Sequence, residues 1–261
     1  MNKYNFLIDT HTHIDGKDFD ADRESVIQNA IDNNVKYMIN AAGTDILEGA
    51  KRAIFLASKC DNVFASAGQH PHDADTPLEI EMLYKLAMHP RVVAIGETGL
   101  DFYKDWSDFD KQKILFKEHI NIAKKVNKPL IVHCRKAGNE AVSILEKLDA
   151  SNVGGVFHCF SESIDIYNKI AEMNFLVSFT GVITFKNANK IREVVKQIPL
   201  SKIMLETDAP YMAPEPFRGT RCEPMYTLWT AKALAKIKEC TLEEVIDTTT
   251  RNAVELFKLK L

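Results

Sequence analysis

The first residues of the chain that could do chemistry are two histidines, His11 and His13, which closely follow the apolar run 6–8. Side chains alternate along an extended strand, so residues two apart point to the same face. Two imidazoles on one face of a strand end form a pair of nitrogen ligands for a divalent metal. Surface loops produce the same spacing by chance. The pair therefore indicates a metal site only if other strand ends carry further ligands.

Several other short apolar runs also end in residues that bind metals. With His11 and His13 included, six of the eight histidines of the chain fall at such positions, together with two acidic residues. The polar residues at these further ends are His70, His72, Glu97, His133, His158 and Asp208. For a single one of these histidines a role in packing is the better interpretation, but the set as a whole predicts a metal site.

These runs belong to a regular alternation of short β-branched stretches and longer amphipathic ones. The predicted strands are 5–10, 37–41, 63–68, 92–97, 130–133, 155–158, 175–179 and 203–206. The predicted helices are 22–33, 47–58, 78–88, 110–126, 139–148, 163–173, 188–197 and 224–238, with a last one over 242–256. Apolar residues at helical spacing and short, mainly apolar strands are the basis of this assignment.

Eight strand–helix alternations predict an α/β protein with a single (β/α)8 TIM barrel, formed by one domain over residues 1–261. The alternative is an open, doubly wound sheet, which commonly has a glycine-rich turn after its first strand; His11-Thr12-His13 stands there instead. In a TIM barrel the functional residues lie at the carboxyl ends of the strands.

The number of ligands predicts two ions. Four histidines and two carboxylates exceed the three protein ligands of a catalytic zinc site. We expect His11, His13, Glu97 and Asp208 around one ion, and Glu97, His133 and His158 around the other, with Glu97 as the bridge. Such a pair activates a water molecule and stabilises the charge that develops during hydrolysis. Asp208 is the candidate general base, and Zn²⁺, Mn²⁺ or Mg²⁺ is the expected ion, Mg²⁺ being the least suited to nitrogen ligands.

Composition narrows the class of protein. The net charge of −3 argues against a protein that coats nucleic acid, and the five cysteines form no Cys-x-x-Cys pair. No apolar run reaches the length of a membrane span. From these features we expect a cytoplasmic monomer without a membrane contact.

The motifs resemble those of the TatD family of metal-dependent hydrolases, within the amidohydrolase-like barrels. The matching segments extend from the start of the chain to Arg251-Asn252-Ala253. They include Ile8-Asp9-Thr10-His11-Thr12-His13, Gly68-Gln69-His70-Pro71-His72, Gly96-Glu97-Thr98-Gly99-Leu100-Asp101, His133-Cys134-Arg135, His158-Cys159-Phe160-Ser161, Glu206-Thr207-Asp208-Ala209-Pro210 and Arg218-Gly219-Thr220-Arg221-Cys222-Glu223-Pro224.

The resemblance implies a TIM barrel with divalent ions on the six ligands above. It also implies phosphodiester hydrolysis as a 3′-to-5′ exonuclease, with DNA ends or oligonucleotides as the substrate. The chain departs from the family pattern at Thr220 and Cys222, where the family has lysine and asparagine, and at Glu162, where it has glycine. These departures leave the ligands in place but affect the basic loop that would contact phosphate.

Cationic residues at the strand ends favour a phosphodiester over other esters, because its non-bridging oxygens need cationic or N–H donors. The candidates are Arg135, Arg218 and Arg221, with His70 either contacting the substrate or orienting a ligand. The aromatic residues Phe102, Tyr103, Trp106, Phe160, Phe185 and Tyr211 either stack bases or pack locally. Two alternatives remain: a two-metal deacylase or lactonase-type esterase or amidase, and a metal-binding protein without turnover.

Overall fold

The computed structural model describes residues 3–261, and over that range it contains eight strands. They are β1 (Leu7–Thr12), β2 (Val35–Asn40), β3 (Val63–Ala67), β4 (Val92–Asp101), β5 (Leu130–Arg135), β6 (Gly155–Phe157), β7 (Phe175–Phe179) and β8 (Ile203–Leu205). They form one sheet in the order β1 to β8, with parallel pairing. The predicted (β/α)8 TIM-barrel fold is confirmed.

Helices follow the strands in the predicted alternation. Within the same residues 3–261 the helices are α1 (Arg23–Asp32), α2 (Ile46–Lys59), α3 (Ile80–Ala87), α4 (Phe109–Val126), α5 (Gly138–Lys147), α6 (Ile164–Glu172), α7 (Asn189–Gln197), α8 (Thr227–Lys238) and α9 (Leu242–Phe257). The predicted helices differ from these by at most a few residues at each end. None of the helices in this range combines the length and the apolar character that crossing a bilayer requires.

The chain divides into two compact units by its internal contacts. One unit contains the residues up to Asn40 together with Val177–Leu261, and the other is Ala41–Leu176. The single domain over 1–261 remains a prediction.

In the unit 41–176, the longest helix, α4, shows why these segments fold as they do. Leu115, Phe116 and Ile120 recur at helical spacing and are almost completely buried. The carboxylate of Asp108 caps the first turn by accepting hydrogen bonds from the backbone N–H groups of Asp110 and Lys111, at 3.0 Å and 2.9 Å. Burial of one face and the cap fix the helix against the strands that carry potential ligands.

In the other unit, the last helix supports β8. Thr241 and Glu244 form a capping box at the start of α9. Farther along, the side-chain amide of Asn252 donates hydrogen bonds of 3.1 Å and 2.7 Å to the carbonyl oxygens of Leu200 and Ile203. α9 therefore holds the strand whose end leads to Asp208.

Candidate metal centre

Three potential ligands converge from β4, from β5 and from the residue that follows β6. The Oε1 atom of Glu97 lies 2.9 Å from Nδ1 of His133 and 2.8 Å from Nε2 of His158. Those two nitrogens are 3.3 Å apart. One carboxylate and two imidazoles directed at one point are a donor set that Zn²⁺ and Mn²⁺ accept. We call Glu97, His133 and His158 the β4–β6 cluster.

A β-bulge in β4 aims Glu97. Ile95 pairs with Leu130 of β5, but Thr98 pairs with Val132, so three steps along β4 correspond to two along β5. The extra residue falls at the Gly96–Glu97 step, and bulges of this kind redirect a side chain beside a functional site. The sequence predicts the end of this strand at Glu97, whereas the structure continues it to Asp101.

Gly99 makes that continuation feasible. It pairs with His133 and has a φ of 131°, a backbone conformation that side chains with a Cβ rarely adopt. A Cβ atom at this position would clash with the carbonyl oxygen of His133. The glycine therefore lets β4 pass close to the strand that carries a potential ligand.

His70, in the segment after β3, contacts the same oxygen of Glu97. Its Nε2 atom lies 3.2 Å from Oε1, and its Nδ1 atom accepts a hydrogen bond of 3.1 Å from the backbone N–H of His72. Burial lowers the pKa of His70 to about 4 in spite of the nearby Glu97, so the ring is neutral at neutral pH. A neutral ring that accepts at Nδ1 carries its proton on Nε2 and donates it toward Glu97. This geometry favours the orienting role for His70, and its contact with substrate remains a prediction.

Asp101 contacts His133 at its other nitrogen. The Oδ2 atom lies 3.2 Å from Nε2 of His133 and 2.8 Å from Nε2 of His72. Burial disfavours the charged form of both Asp101 and His133, but the hydrogen bonds between charged partners outweigh this effect. The pKa of Asp101 therefore falls far below its ordinary value, and the pKa of His133 rises. A carboxylate on the far nitrogen of a ligand histidine fixes the orientation of the ring and makes it more basic.

From the sequence, His72 is one of the histidines at strand ends but has no specific role, and Asp101 has none. The available signal was a carboxylate four residues beyond Glu97, in the run Gly-Leu-Asp. That signal was not sufficient, because the register between β4 and β5 decides that Asp101 pairs with Arg135 and so lies near His133.

A second group of potential ligands lies in the other unit, at the ends of β1 and β8. The Nε2 atoms of His11 and His13 are 3.2 Å apart, and they lie 3.8 Å and 3.4 Å from Oδ1 of Asp208. The His11 side chain is fully buried, while those of His13 and Asp208 are 16% and 13% exposed. We call these three residues the β1–β8 cluster.

Backbone contacts and a buried carboxyl group hold this cluster. Asp208 donates its backbone N–H to the carbonyl oxygen of His11 at 2.9 Å, and its φ of 58° lies in the left-handed region that aspartate tolerates. Asp9 accepts hydrogen bonds from the backbone N–H and the hydroxyl of Thr207, at 2.9 Å and 2.5 Å. Burial raises the pKa of Asp9 well above its ordinary value. Asp9 therefore links the strand of His11 to the segment that precedes Asp208.

The three arginines proposed from the sequence lie in different surroundings. Arg135 is exposed, with its guanidinium carbon 4.0 Å from the centre of the Tyr103 ring. Arg218 lies 4.1 Å from the centre of the Phe185 ring and lines a cleft of about 510 Å³ that Lys190 also lines. Both arginines therefore combine a positive charge with an adjacent aromatic face.

Arg221 is engaged by carboxylates. Its guanidinium donates two hydrogen bonds to Asp22, of 2.9 Å and 2.7 Å, and one of 3.0 Å to Glu223. These contacts raise the pKa of Arg221 above its ordinary value. A phosphate would have to compete with both acids for this side chain, so its predicted contact with substrate stays a prediction.

Several known proteins are similar to this chain in sequence or in structure. The family described as TatD related DNase matches residues 8–258. The metal-dependent hydrolase YabD of Bacillus subtilis is 42% identical over 255 residues, which cover 97% of this chain and 99% of YabD. For the metal-dependent hydrolase YcfH of Escherichia coli the identity is 37% over 257 residues, covering 97% and 96%. The crystal structure of YjjV, a TatD homologue from Escherichia coli, is similar with a TM-score of 0.91 at 29% identity, covering 97% of this chain and 98% of that one.

Proposed function

This chain belongs to the family of TatD-related DNases, which are metal-dependent hydrolases, and on that premise we propose that it hydrolyses phosphodiester bonds at the ends of DNA. The observation that carries the proposal is the β4–β6 cluster. A buried carboxylate oxygen of Glu97 has His133 and His158 at 2.9 Å and 2.8 Å. That donor set suits a cation that acts in hydrolysis.

We assign the two clusters to two divalent ions. Glu97, His133 and His158 would hold one ion, and His11, His13 and Asp208 would hold the other. The assignment of Glu97 as a shared ligand is based on the fold, in which the carboxyl ends of all eight strands belong to one face. Nitrogen-rich donors suit Zn²⁺ and Mn²⁺ better than Mg²⁺.

When bound, the ions would lower the pKa of a water molecule and offset the charge that builds up on the phosphate. The residues of the chain would supply the proton acceptor and the contacts that orient the ligands. The carboxylate of Asp208, 13% exposed, would accept the proton of the attacking water. His70 would keep Glu97 in place by donating to it, and Asp101 would keep the ring of His133 in its ligand orientation.

The cationic residues would bind the phosphate. Arg135 and Arg218 are suited to this role, because within residues 3–261 neither guanidinium is held by two acids in the way that Arg221 is. Arg221 would reach a phosphate only by leaving Asp22 and Glu223. The cytoplasmic location and the monomeric state expected from the sequence stay predictions.

The test measures bound metal on the purified protein and then follows end-labelled single-stranded DNA with added Mg²⁺, Mn²⁺ or Zn²⁺. We expect release of mononucleotides that stops with chelator and in Asp208→Asn. The exposed-carboxylate variant Asp110→Asn serves as the control and should keep full activity. Turnover of a simple ester or amide without any cleavage of DNA would contradict the proposal and favour a deacylase or lactonase.

The bridging role of Glu97 has its own measurement. Glu97→Ala should lower the metal content to one ion or none, because both clusters would lose an oxygen ligand. Retention of two ions by this variant would refute the shared ligand while leaving the hydrolase assignment intact.

A further inference from the structure

Two aromatic side chains are open to solvent on the segment 102–107, which joins β4 to α4. Tyr103 is 43% exposed and Trp106 is 51% exposed. Large aromatic side chains are more often buried, since each removes a large apolar area from water. Trp106 stacks on His72, with ring centres 4.9 Å apart and an interplanar angle of 22°. This contact fixes the plane of the indole while leaving half of the side chain exposed.

Three cationic side chains surround these rings. Arg135 and Lys136 lie 4.0 Å and 4.8 Å from the centre of the Tyr103 ring, and Lys104 lies 5.2 Å from that of Trp106. The segment 102–107 itself contains one acidic residue, at position 105. The positive charge is therefore local, in a chain whose net charge is −3. We call Tyr103, Lys104, Trp106, Arg135 and Lys136 the aromatic–basic patch.

Hydrogen bonds anchor the segment at both ends. The backbone N–H of Phe102 donates to the carbonyl oxygen of Arg135 at 2.9 Å, and that of Tyr103 donates to Oδ1 of Asp101 at 2.9 Å. The hydroxyl of Ser107 donates to the carbonyl oxygen of Pro71 at 2.7 Å. The rings are thus presented by a fixed segment, which lowers the entropy lost when a ligand binds.

The patch connects directly to the β4–β6 cluster. Trp106 stacks on His72, the imidazole of His72 contacts Oδ2 of Asp101 at 2.8 Å, and the same oxygen lies 3.2 Å from Nε2 of His133. A polymer held on the patch would therefore extend toward the ligands of the proposed metal centre.

We propose that the aromatic–basic patch binds the unpaired nucleotides next to the scissile phosphodiester, with bases on Trp106 and Tyr103 and phosphates on Lys104, Arg135 and Lys136. The inference rests on the proposed function and specifies its substrate as single-stranded DNA or a frayed end. Exposed aromatic rings stack on bases of any sequence, and cations beside them follow the backbone. In a duplex both faces of each base are already stacked, so a duplex interior cannot use these rings.

The test compares two substrates that differ only in their bases: a short oligothymidylate and an abasic oligonucleotide of the same length. With metal-loaded protein, Trp106→Ala should raise the KM for the oligothymidylate about 5- to 150-fold. The KM for the abasic strand should not change, because that strand has nothing to stack. Trp106→Phe keeps an aromatic ring and should recover most of the lost affinity, which a purely structural defect would not predict.

A matched control exists on α2, where Phe55 is 67% exposed and Lys59 lies 5.6 Å from its ring. Phe55→Ala removes a solvent-exposed aromatic–lysine contact on α2, which is not part of the patch, and should change neither KM. An unchanged KM for oligothymidylate in Trp106→Ala would overturn the inference. An equal rise with both strands would overturn it as well, since the contact would then not involve bases.

The contribution of the lysines in the patch to DNA binding is tested by varying the salt concentration. In the double variant Lys104→Ala, Lys136→Ala, the slope of log Kd for oligothymidylate against log salt should fall by about 1.4, which is 0.7 for each lost phosphate contact to a single strand. An unchanged slope would overturn the role of these lysines.

Failure of this inference is distinguishable from failure of the proposed function. If every patch variant cleaved both oligonucleotides with the kcat and KM of the wild type, the role of the patch would be refuted while the phosphodiesterase activity would stand. Binding of oligothymidylate that depends on Trp106, measured by fluorescence anisotropy without cleavage of either strand, would support the patch and overturn the phosphodiesterase.

Discussion

The two ligand clusters differ in how their side chains are held. In the β4–β6 cluster the donor atoms lie 2.8 Å to 3.3 Å apart, and further residues fix the ligands: His70 contacts Glu97, and Asp101 contacts His133. In the β1–β8 cluster the donor atoms lie 3.2 Å to 3.8 Å apart.

The carboxylates of the two clusters differ in exposure, whereas the more exposed imidazole of each is similar, at 17% for His133 and 16% for His13. The side chain of Asp208, which follows the end of β8, is 13% exposed. The side chain of Glu97 has only 4% exposure. Ligands that are already oriented lose less entropy when an ion binds, so the β4–β6 cluster should bind its ion more tightly. The β1–β8 cluster, whose carboxylate is the more exposed, should exchange its ion more readily and admit water near Asp208.

Removing one imidazole from each cluster gives the largest expected effect. His158→Ala should lower DNA hydrolysis at least about 1,000-fold, because an ion supplies several kcal/mol of transition-state stabilisation. His13→Ala should lose only the weaker ion, and added Mn²⁺ should restore part of its activity. Metal analysis after gel filtration and activity against added Mn²⁺ measure both effects. Recovery of His158→Ala but not of His13→Ala would reverse the comparison.

The support of His133 by Asp101 predicts a smaller effect. Asp101→Asn keeps an acceptor for the backbone of Tyr103 but removes the charge that faces His133, and activity or metal affinity should fall about 10- to 100-fold. Isothermal titration with Zn²⁺ measures the affinity, and Asp110→Asn, whose carboxylate is 85% exposed, is the control. Equal Zn²⁺ affinity in wild type and Asp101→Asn would show that Asp101 does not organise the cluster.

A buried histidine near the β4–β6 cluster predicts a pH dependence of stability. His119 accepts a hydrogen bond from the backbone N–H of Gln69, and burial lowers its pKa to about 4 from an ordinary value of 6.5. As the pH falls, the imidazole of His119 is protonated in the unfolded chain before it is protonated in the folded protein. The contribution of neutral His119 to the free energy of unfolding is therefore complete above pH 6.5 and is lost as the pH falls toward 4.

Its size follows from the shift of the pKa and is at most about 3 kcal/mol. Urea unfolding at several pH values, with chelator present, should show a free energy of unfolding that decreases over this window more in wild type than in His119→Gln. Parallel decreases in the two proteins would mean that His119 already titrates normally in the folded state.

The smallest effect is expected at Arg221. Because its guanidinium is held by Asp22 and Glu223, Arg221→Gln should change the KM for DNA little and stability by at most about 1 kcal/mol. Arg218→Gln should raise the KM more, since a charge-assisted hydrogen bond to phosphate contributes about 1.5 to 3 kcal/mol. A larger rise for Arg221→Gln than for Arg218→Gln would support direct phosphate contact by Arg221, as the sequence analysis expected.

Most of the fold could be predicted from the sequence, because each strand is a short apolar run and each helix has one apolar face. The predicted helix 110–126 and the observed α4 differ by one residue. The end of β4 was wrong by four residues: Glu97 and Gly99 are typical of a strand end, but the pairing of Thr98 and Gly99 with β5 continues the strand. No local pattern contains that pairing.

The sequence by itself determined which donors follow which strands, since covalent order places Glu97, His133 and His158 directly at the ends of apolar runs. Only the tertiary structure decided which atoms meet: Nδ1 of His133 faces Glu97, Nε2 faces Asp101, and Arg221 is held by Asp22. These contacts depend on strand register, on the bulge in β4 and on packing between residues far apart in the chain. Local sequence encodes residue type and periodicity, whereas the direction of a side chain is set by neighbours that only folding brings together.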